Sequence, residues 1–326
     1  MRKTAIYAGI LILMLAAFGS TSAGVSAEAD DKSDVSTEQQ ATFVDSGRES
    51  EGIYKEARVS YLGPAGTYTE EAAVFFFPDA EQMLPEETVD DAIAMLENGE
   101  ADFAVIPQEN TIGGAVTNYV DALISRDELY VVGEVILPIS QTLLGIQGAS
   151  IEDIKTVCSH TQGISQSEEW RKQHMPDAET EEMASTAAAA EYVAAQQDKT
   201  IAAIAAPGAA SLYGLTVLAE NVQITDANKT RFYVLASEKR DGSGCTRAVF
   251  VADCEAEELD DIIITLHDAG LEMVTIHDRP EGSALGSYRY IIEVKDDGGI
   301  TPEKIERVSA VQTVRYLGSF DMIEKN

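Results

Sequence analysis

The sequence predicts an α/β protein of two lobes around a cleft, followed by a smaller unit of different topology. Three observations carry this. From residue 58 onward, apolar runs of strand length alternate with apolar-periodic runs of helix length, which argues for a mostly parallel sheet flanked by helices. Twice, at 101–116 and at 156–171, a strand end runs into polar side chains, a glycine and a helix start, and two such polar ends facing each other make a ligand cleft. From Gly244 the order changes to strand, helix, strand, strand, helix, strand, the ferredoxin-like βαββαβ arrangement.

The chain has 326 residues, enough for two or three domains, and an apolar content of 45% excludes wholesale disorder. A formal net charge of −33 argues against nucleic acid as a partner, since no basic stripe is available to neutralise phosphates. Residues 1–27 stand apart. Arg2 and Lys3 precede an uncharged apolar run at 5–19, then small residues ending in Val25-Ser26-Ala27, which is the pattern of a secretory signal peptide cleaved after Ala23 or Ala27. The run is short for a membrane span, so the expectation is a periplasmic or extracellular protein without stable membrane insertion; the alternative is an uncleaved N-terminal anchor. Residues 28–56 are rich in acids, Ser, Thr and Gln and read as a flexible acidic tether. Cys158, Cys245 and Cys254 are too scattered for a zinc site or a disulfide framework, and all three read as structural thiols.

Residues 57–238 make the two lobes, the first from about 57–138 and 220–238, the second from about 139–219. Residues 58–62 read as a strand, and Gly63 to Thr69 as a tight loop in which Thr67 and Thr69 either cap the next helix or touch a ligand. Residues 89–98 have helical spacing and stop at Asn98-Gly99. Residues 101–106 read as a strand buried on both faces and ended by Pro107. Gln108, Glu109, Asn110 and Thr111 then crowd its carboxyl end, Gly113-Gly114 permits close approach of the backbone, and a helix resumes at 116–124. The second lobe repeats this with a short strand at 156–158, Ser159-His-Thr-Gln-Gly163, and a helix through Trp170 and Arg171. An alanine-rich helix to Ala195 is capped by Ser185 or Thr186, residues 201–205 are a strand, and Pro207-Gly208 opens another helix. Asn228-Lys-Thr-Arg-Phe232 supplies polar residues running into an apolar strand to Leu235, and the βαββαβ unit occupies 244–320.

In order along the chain, Tyr61-Leu-Gly-Pro-Ala-Gly-Thr-Tyr-Thr-Glu70, Ile106-Pro-Gln-Glu-Asn-Thr-Ile-Gly-Gly114, Ser159-His-Thr-Gln162 and Asn228-Lys-Thr-Arg-Phe232 resemble the motifs of the prephenate dehydratase family. Thr161 stands where the family has proline. Residues 245–318 resemble the ACT domain that usually follows. The resemblance implies a two-lobed, periplasmic-binding-protein-like (type II) catalytic domain that converts prephenate to phenylpyruvate, carbon dioxide and water, with no metal or redox cofactor. It implies Thr230 as the catalytic residue, stabilising the departing hydroxyl, and Arg231 as a carboxylate clamp, or else a structural arginine paired to an acid. Asn110, Thr111, Ser159, Gln162, Phe232, Thr67 and Thr186 complete the expected substrate contacts. His160 reads as a structural hydrogen-bonding residue, and Glu109, beside a dianion, must turn away or be protonated. Arogenate, the amino analogue, is an alternative substrate, and a secreted solute-binding protein without catalysis is the alternative from another class.

In the ACT-like unit, phenylalanine-responsive members carry Gly-Ala-Leu and Glu-Ser-Arg-Pro where this chain has Glu257-Glu258-Leu259 and His277-Asp278-Arg279-Pro280. Two carboxylates in place of glycine argue against phenylalanine binding and leave assembly, as a homodimer or homotetramer, as the unit's expected role.

Overall fold

The computed structural model describes residues 54, 56–225, 227–282 and 287–325. The expected leader, and all of the expected tether except Tyr54 and Glu56, lie outside the described residues. Packing reaches back to Tyr54, ahead of Ala57: its ring meets Phe76, Phe77 and Phe103 at centroid distances of 5.5, 5.4 and 5.6 Å.

The first lobe begins with β1 (Arg58–Leu62), α1 (Tyr68–Phe76), β2 (Gln82–Glu86), α2 (Val89–Glu97), β3 (Phe103–Asn110), β4 (Gly114–Ala115), α3 (Thr117–Ile124) and β5 (Tyr130–Pro138). Helix starts follow their chemistry. Thr67 accepts from Glu70 N and Thr88 from Asp91 N, and acids fill both first turns, where the helix dipole favours them. β3 is the central strand. Ala104 and Ile106 pack with α2 and α3 on one face, while Phe103 and Val105 pack with the aromatic residues of α1 on the other. Pro107 does not end this strand. It lies opposite Phe232 where the register with the neighbouring strand shifts, and such an irregularity is where a residue without an N–H is tolerated in a sheet interior.

The second lobe holds β6 (Thr142–Gly145), β7 (Thr156–Ser159), α4 (Thr161–Gln166), α5 (Glu168–His174), β8 (Glu179–Glu182), α6 (Thr186–Gln196), β9 (Ile201–Ala205), α7 (Gly208–Tyr213) and β10 (Thr216–Ala219), in the sheet order β10-β6-β9-β7-β8. The single helix expected through Arg171 is two helices broken at Ser167, whose hydroxyl donates back to the Gly163 carbonyl at 2.7 Å and bends the chain.

The chain then returns to the first lobe as β11 (Lys229–Ala236), antiparallel to both β3 and β5. The first sheet is therefore mixed rather than mostly parallel.

The last unit comprises β12 (Arg247–Glu255), α8 (Leu259–Asp268), β13 (Glu272–Pro280), β14 (Ser287–Lys295), α9 (Pro302–Ser309) and β15 (Val314–Phe320), with sheet order β13-β14-β12-β15. Strand alternation gives this sheet two buried faces. Ala248, Phe250 and Ala252 meet Ile262, Leu266 and Val308 of the two helices, whereas Val249 and Val251 join Tyr119, Leu123 and Leu235 of the first lobe. A final strand, β16 (Met322–Glu324), pairs parallel to β5, so the first sheet runs β16-β5-β11-β3-β1-β2 with β4 paired to β3. Lys229 makes an ion pair with Glu324 on that strand. All three cysteines are free. Among the described residues no helix is long and apolar enough to cross a membrane.

Candidate active site

A cleft of about 270 Å³ opens where the lobes meet. Its first-lobe wall includes Leu62, Gly63, Thr67, Tyr68, Thr69, Asn110, Asn228 and Thr230; Gln141, His160, Gln162, Gly163, Gln166, Ser185 and Thr186 stand opposite. The starts of α1 and α6, one from each lobe, both border it, so two sets of unpaired helix N–H groups favour anionic ligand groups there.

Asn110 organises the first-lobe wall. Its Oδ1 accepts from the backbone N–H groups of Ile112 at 3.0 Å and Gly113 at 2.9 Å, folding the loop back on the strand end. Its Nδ2 donates to Asn228 Oδ1 at 2.8 Å and to Thr230 Oγ1 at 2.9 Å. A hydroxyl that accepts from an amide keeps its own hydrogen for another partner, so the largely buried Thr230 is oriented as a donor. Across the cleft, Asn228 Nδ2 donates to Gln166 Oε1 at 3.1 Å. Gly113 leaves room for the other lobe: a Cβ there would lie 3.0 Å from Gln162 Nε2. Gly163 is equally constrained, since a Cβ would come within 2.3 Å of Ser159 Oγ.

Of the residues singled out from sequence, Thr230, Asn110, Gln162, Thr67 and Thr186 line this cleft. Thr67 also caps α1, and Ser185, not Thr186, caps α6 through Ala188 N at 3.0 Å. Four others are placed elsewhere. Ser159 is fully buried and donates to the Ile204 carbonyl at 2.7 Å, tying β7 to β9. Thr111 donates to the Ala227 carbonyl and accepts from Lys229 N, holding two loops together outside the cleft lining. Phe232 is in the core between β3 and β5.

Arg231 takes the structural role rather than the clamp. It follows Thr230 on β11, and successive strand side chains point to opposite faces. Its guanidinium donates to Glu134 Oε1 at 2.5 Å, to both oxygens of Glu293 at 2.6 Å, and to Glu109 at 3.5 Å. Glu109, opposite it on β3, is thereby directed away from the cleft. Arg247 adds a second cation at 2.6 Å from Glu293, and Tyr233 donates to the same carboxylate at 2.7 Å. Glu134 and Glu293 are fully buried; burial pushes Glu134 up to about 7, reinforced by Glu293 and opposed by Arg231 and Arg247. This network joins β11 to β14 of the last unit.

His160 caps α4 through Gln162 N at 3.3 Å and also borders the cleft. Gln141, Gln166, Asn228 and Tyr68 were not anticipated. Asn228 and Tyr68 stand inside motifs quoted above but were given no role there, whereas Gln141 and Gln166 are lone polar residues; the further signal is position, since Gln141 and Asn228 flank the two points where the chain crosses between lobes. Tyr68 spans the first crossing by donating to the Ser140 carbonyl at 2.9 Å.

The family model described as prephenate dehydratase matches residues 59–240. A bifunctional chorismate mutase/prephenate dehydratase of Neisseria gonorrhoeae is 35% identical over 239 residues, covering 73% of this chain and 66% of that protein, so the chain spans about two thirds of that relative. A prephenate dehydratase of Lactococcus lactis is 31% identical over 273 residues, covering 81% of this chain and 97% of that one. The crystal structure of a prephenate dehydratase from Arthrobacter aurescens in complex with L-Phe is similar at a TM-score of 0.72 and 30% identity, covering 81% of this chain and 90% of that chain.

Proposed function

The chain belongs to the prephenate dehydratase family, lyases of aromatic amino acid biosynthesis, and from that premise we propose that the cleft is where prephenate becomes phenylpyruvate. The ring carboxylate leaves as carbon dioxide, its bonding electrons pass through the ring, and the ring hydroxyl departs with a proton from solvent as water. Thr230 donates a hydrogen bond to that departing oxygen as charge gathers on it. The observation that carries this reading is the 2.9 Å bond from Asn110 Nδ2 to Thr230 Oγ1, which occupies one lone pair and leaves the hydroxyl hydrogen free to donate. Helix starts from both lobes hold the two carboxylates. No carboxylate is among the described lining residues to pair with an ammonium, which supports prephenate over arogenate.

The test is conversion of prephenate, read as phenylpyruvate absorbance in alkali. Thr230→Val should lower turnover by about 10²-fold or more with the fold retained. A near-normal rate would remove Thr230 from the chemistry, and no product from folded, unsubstituted protein would return the solute-binding reading.

We further infer that the lobes are of the periplasmic-binding type and that residues 244–320 form an ACT domain, supported by the two-sheet layout and the order β13-β14-β12-β15. Its His277 contacts the Tyr119 hydroxyl, and its Arg279 pairs with Asp121 at 2.5 Å. With the phenylalanine motif positions engaged in this way, assembly is the role we assign to the unit. Exposed Ile264 on α8 and Met273 on the edge strand β13 support a second copy as partner, which sedimentation would detect. Export after cleavage within 1–27 is the proposed localisation, tested by N-terminal sequencing of the mature protein.

A further inference from the structure

The amides of the cleft form a chain whose direction is set at one end. Backbone N–H groups can only donate, so the bonds from Ile112 and Gly113 fix Asn110 with its oxygen toward the loop and its amide nitrogen toward Asn228 and Thr230. Asn228 must then present oxygen to Asn110 and nitrogen to Gln166, whose Oε1 accepts at 3.1 Å. The same Oε1 accepts from Gln141 Nε2 at 3.2 Å. Among the buried side-chain atoms of these four amides, one acceptor is left over. Gln141 Oε1 has no partner among the described residues, although Gln141 is only 3% exposed and lines the cleft. A buried acceptor left unsatisfied is costly, so a ligand that supplies a donor there recovers that cost. Thr142 Oγ1 is also unpartnered, but Thr142 does not line the cleft.

The ligand's chemistry identifies the donor. This step rests on the prephenate reading above. At neutral pH prephenate carries two carboxylates, a ketone and one ring hydroxyl, so the hydroxyl is its only hydrogen-bond donor. We propose that Gln141 Oε1 accepts the hydrogen bond of the substrate's ring hydroxyl, making Gln141 a specificity-determining residue that distinguishes substrate from product. Phenylpyruvate has lost that hydroxyl, and its keto form offers no donor. The relay therefore has opposite ends in one cleft: Thr230 gives a hydrogen bond and Gln141 receives one. Loss of water from the substrate strands the Gln141 oxygen again, which favours product release.

The experiment compares a ligand that has the donor with one that lacks it. In Gln141→Met, a flexible replacement of similar size, kcat/KM for prephenate should fall about tenfold or more, while the product-inhibition constant of phenylpyruvate should stay within about twofold. A parallel loss for both ligands, as a merely structural role or a bridging water would give, overturns the proposal, as does an unchanged kcat/KM. Should the variant not fold, the unsubstituted protein still decides: 4-hydroxycyclohexanecarboxylate should inhibit at least about tenfold better than its 4-fluoro analogue, which cannot donate, and equal inhibition overturns the assignment. Prephenate turnover by the unsubstituted protein in the same assay separates failure of this inference from failure of the dehydratase reading.

Discussion

Replacing Asn110 by aspartate changes one atom's hydrogen-bonding character and should reverse the polarity of the site. Ile112 N and Gly113 N, at 3.0 and 2.9 Å, would still find an oxygen, so the loop is kept. The nitrogen that donates to Thr230 Oγ1 at 2.9 Å becomes a carboxylate oxygen, toward which Thr230 now turns its own hydrogen. Loss of a preorganised donor to developing charge costs about 10²–10³ in rate. A fixed negative charge roughly 5 Å from a substrate carboxylate adds about 3 kcal/mol at an effective dielectric of about 20, or roughly another 10². Asn110→Asp should therefore lose on the order of 10⁴ in kcat/KM, measured as phenylpyruvate formation at neutral pH, with the thermal unfolding temperature lowered modestly because the buried Asn228 Oδ1 loses its donor. A kcat/KM within about tenfold of the parent would refute both the orientation of Thr230 and its role as donor.

Glu134 gives a pH signature. Its carboxyl is raised to about 7 in the folded protein, so the stability it contributes is full below the unfolded value near 4.5 and is lost as pH rises through 7. Glu134→Gln, which does not titrate, should gain on the order of 2 kcal/mol relative to the parent between pH 5 and pH 8 in urea unfolding; parallel profiles would contradict this. Arg231→Met leaves two fully buried carboxylates short of their shared cation and should lower stability by about 3 kcal/mol or more. An unchanged urea midpoint together with a raised KM would instead return Arg231 to the carboxylate-clamp role. Phenylalanine added to the protein in a calorimeter should give no micromolar binding, because His277 and Arg279 are already engaged by Tyr119 and Asp121; clear heats of binding would reinstate feedback control.

Much of the cleft was legible in sequence because polar residues at the carboxyl ends of buried strands have few structural reasons to be there. Asn110 was found that way, whereas Thr230, at the start of β11, was reached through the motif resemblance. Arg231 and Ser159 show the limit of motif reading. A motif names consecutive residues, but a strand sends them to opposite faces, so Thr230 reaches the cleft while Arg231 enters the network beneath it. Gln141 and Gln166 carried no local signal, since a lone amide in a connection or a short helix acquires its partners only when the lobes close on each other. Among the elements, β8 was missed because Glu179–Glu182 is entirely exposed and three of its four residues are acids; its ladder with β7, not its side chains, makes it a strand. Pro107 misled for a related reason: propensity forbids it in a sheet interior, and the register shift opposite Phe232 admits it.

The pairing of β16 with β5 has a mechanical consequence. The four-stranded unit is entered from β11 and left into β16, and both of those strands flank β5 in the same sheet. A module fastened at one end pivots; one fastened at both ends to a single sheet can only shear or twist that sheet. The chain leaves for the unit from Ala236, at the far end of β11 from Lys229 and Thr230, while Lys229 is tied to Glu324 of β16, so the two attachments bracket the strand that carries Thr230. The strand that presents Thr230 to the cleft is thus held along its length, by the chain leaving Ala236 at one end and by the Lys229–Glu324 pair at the other.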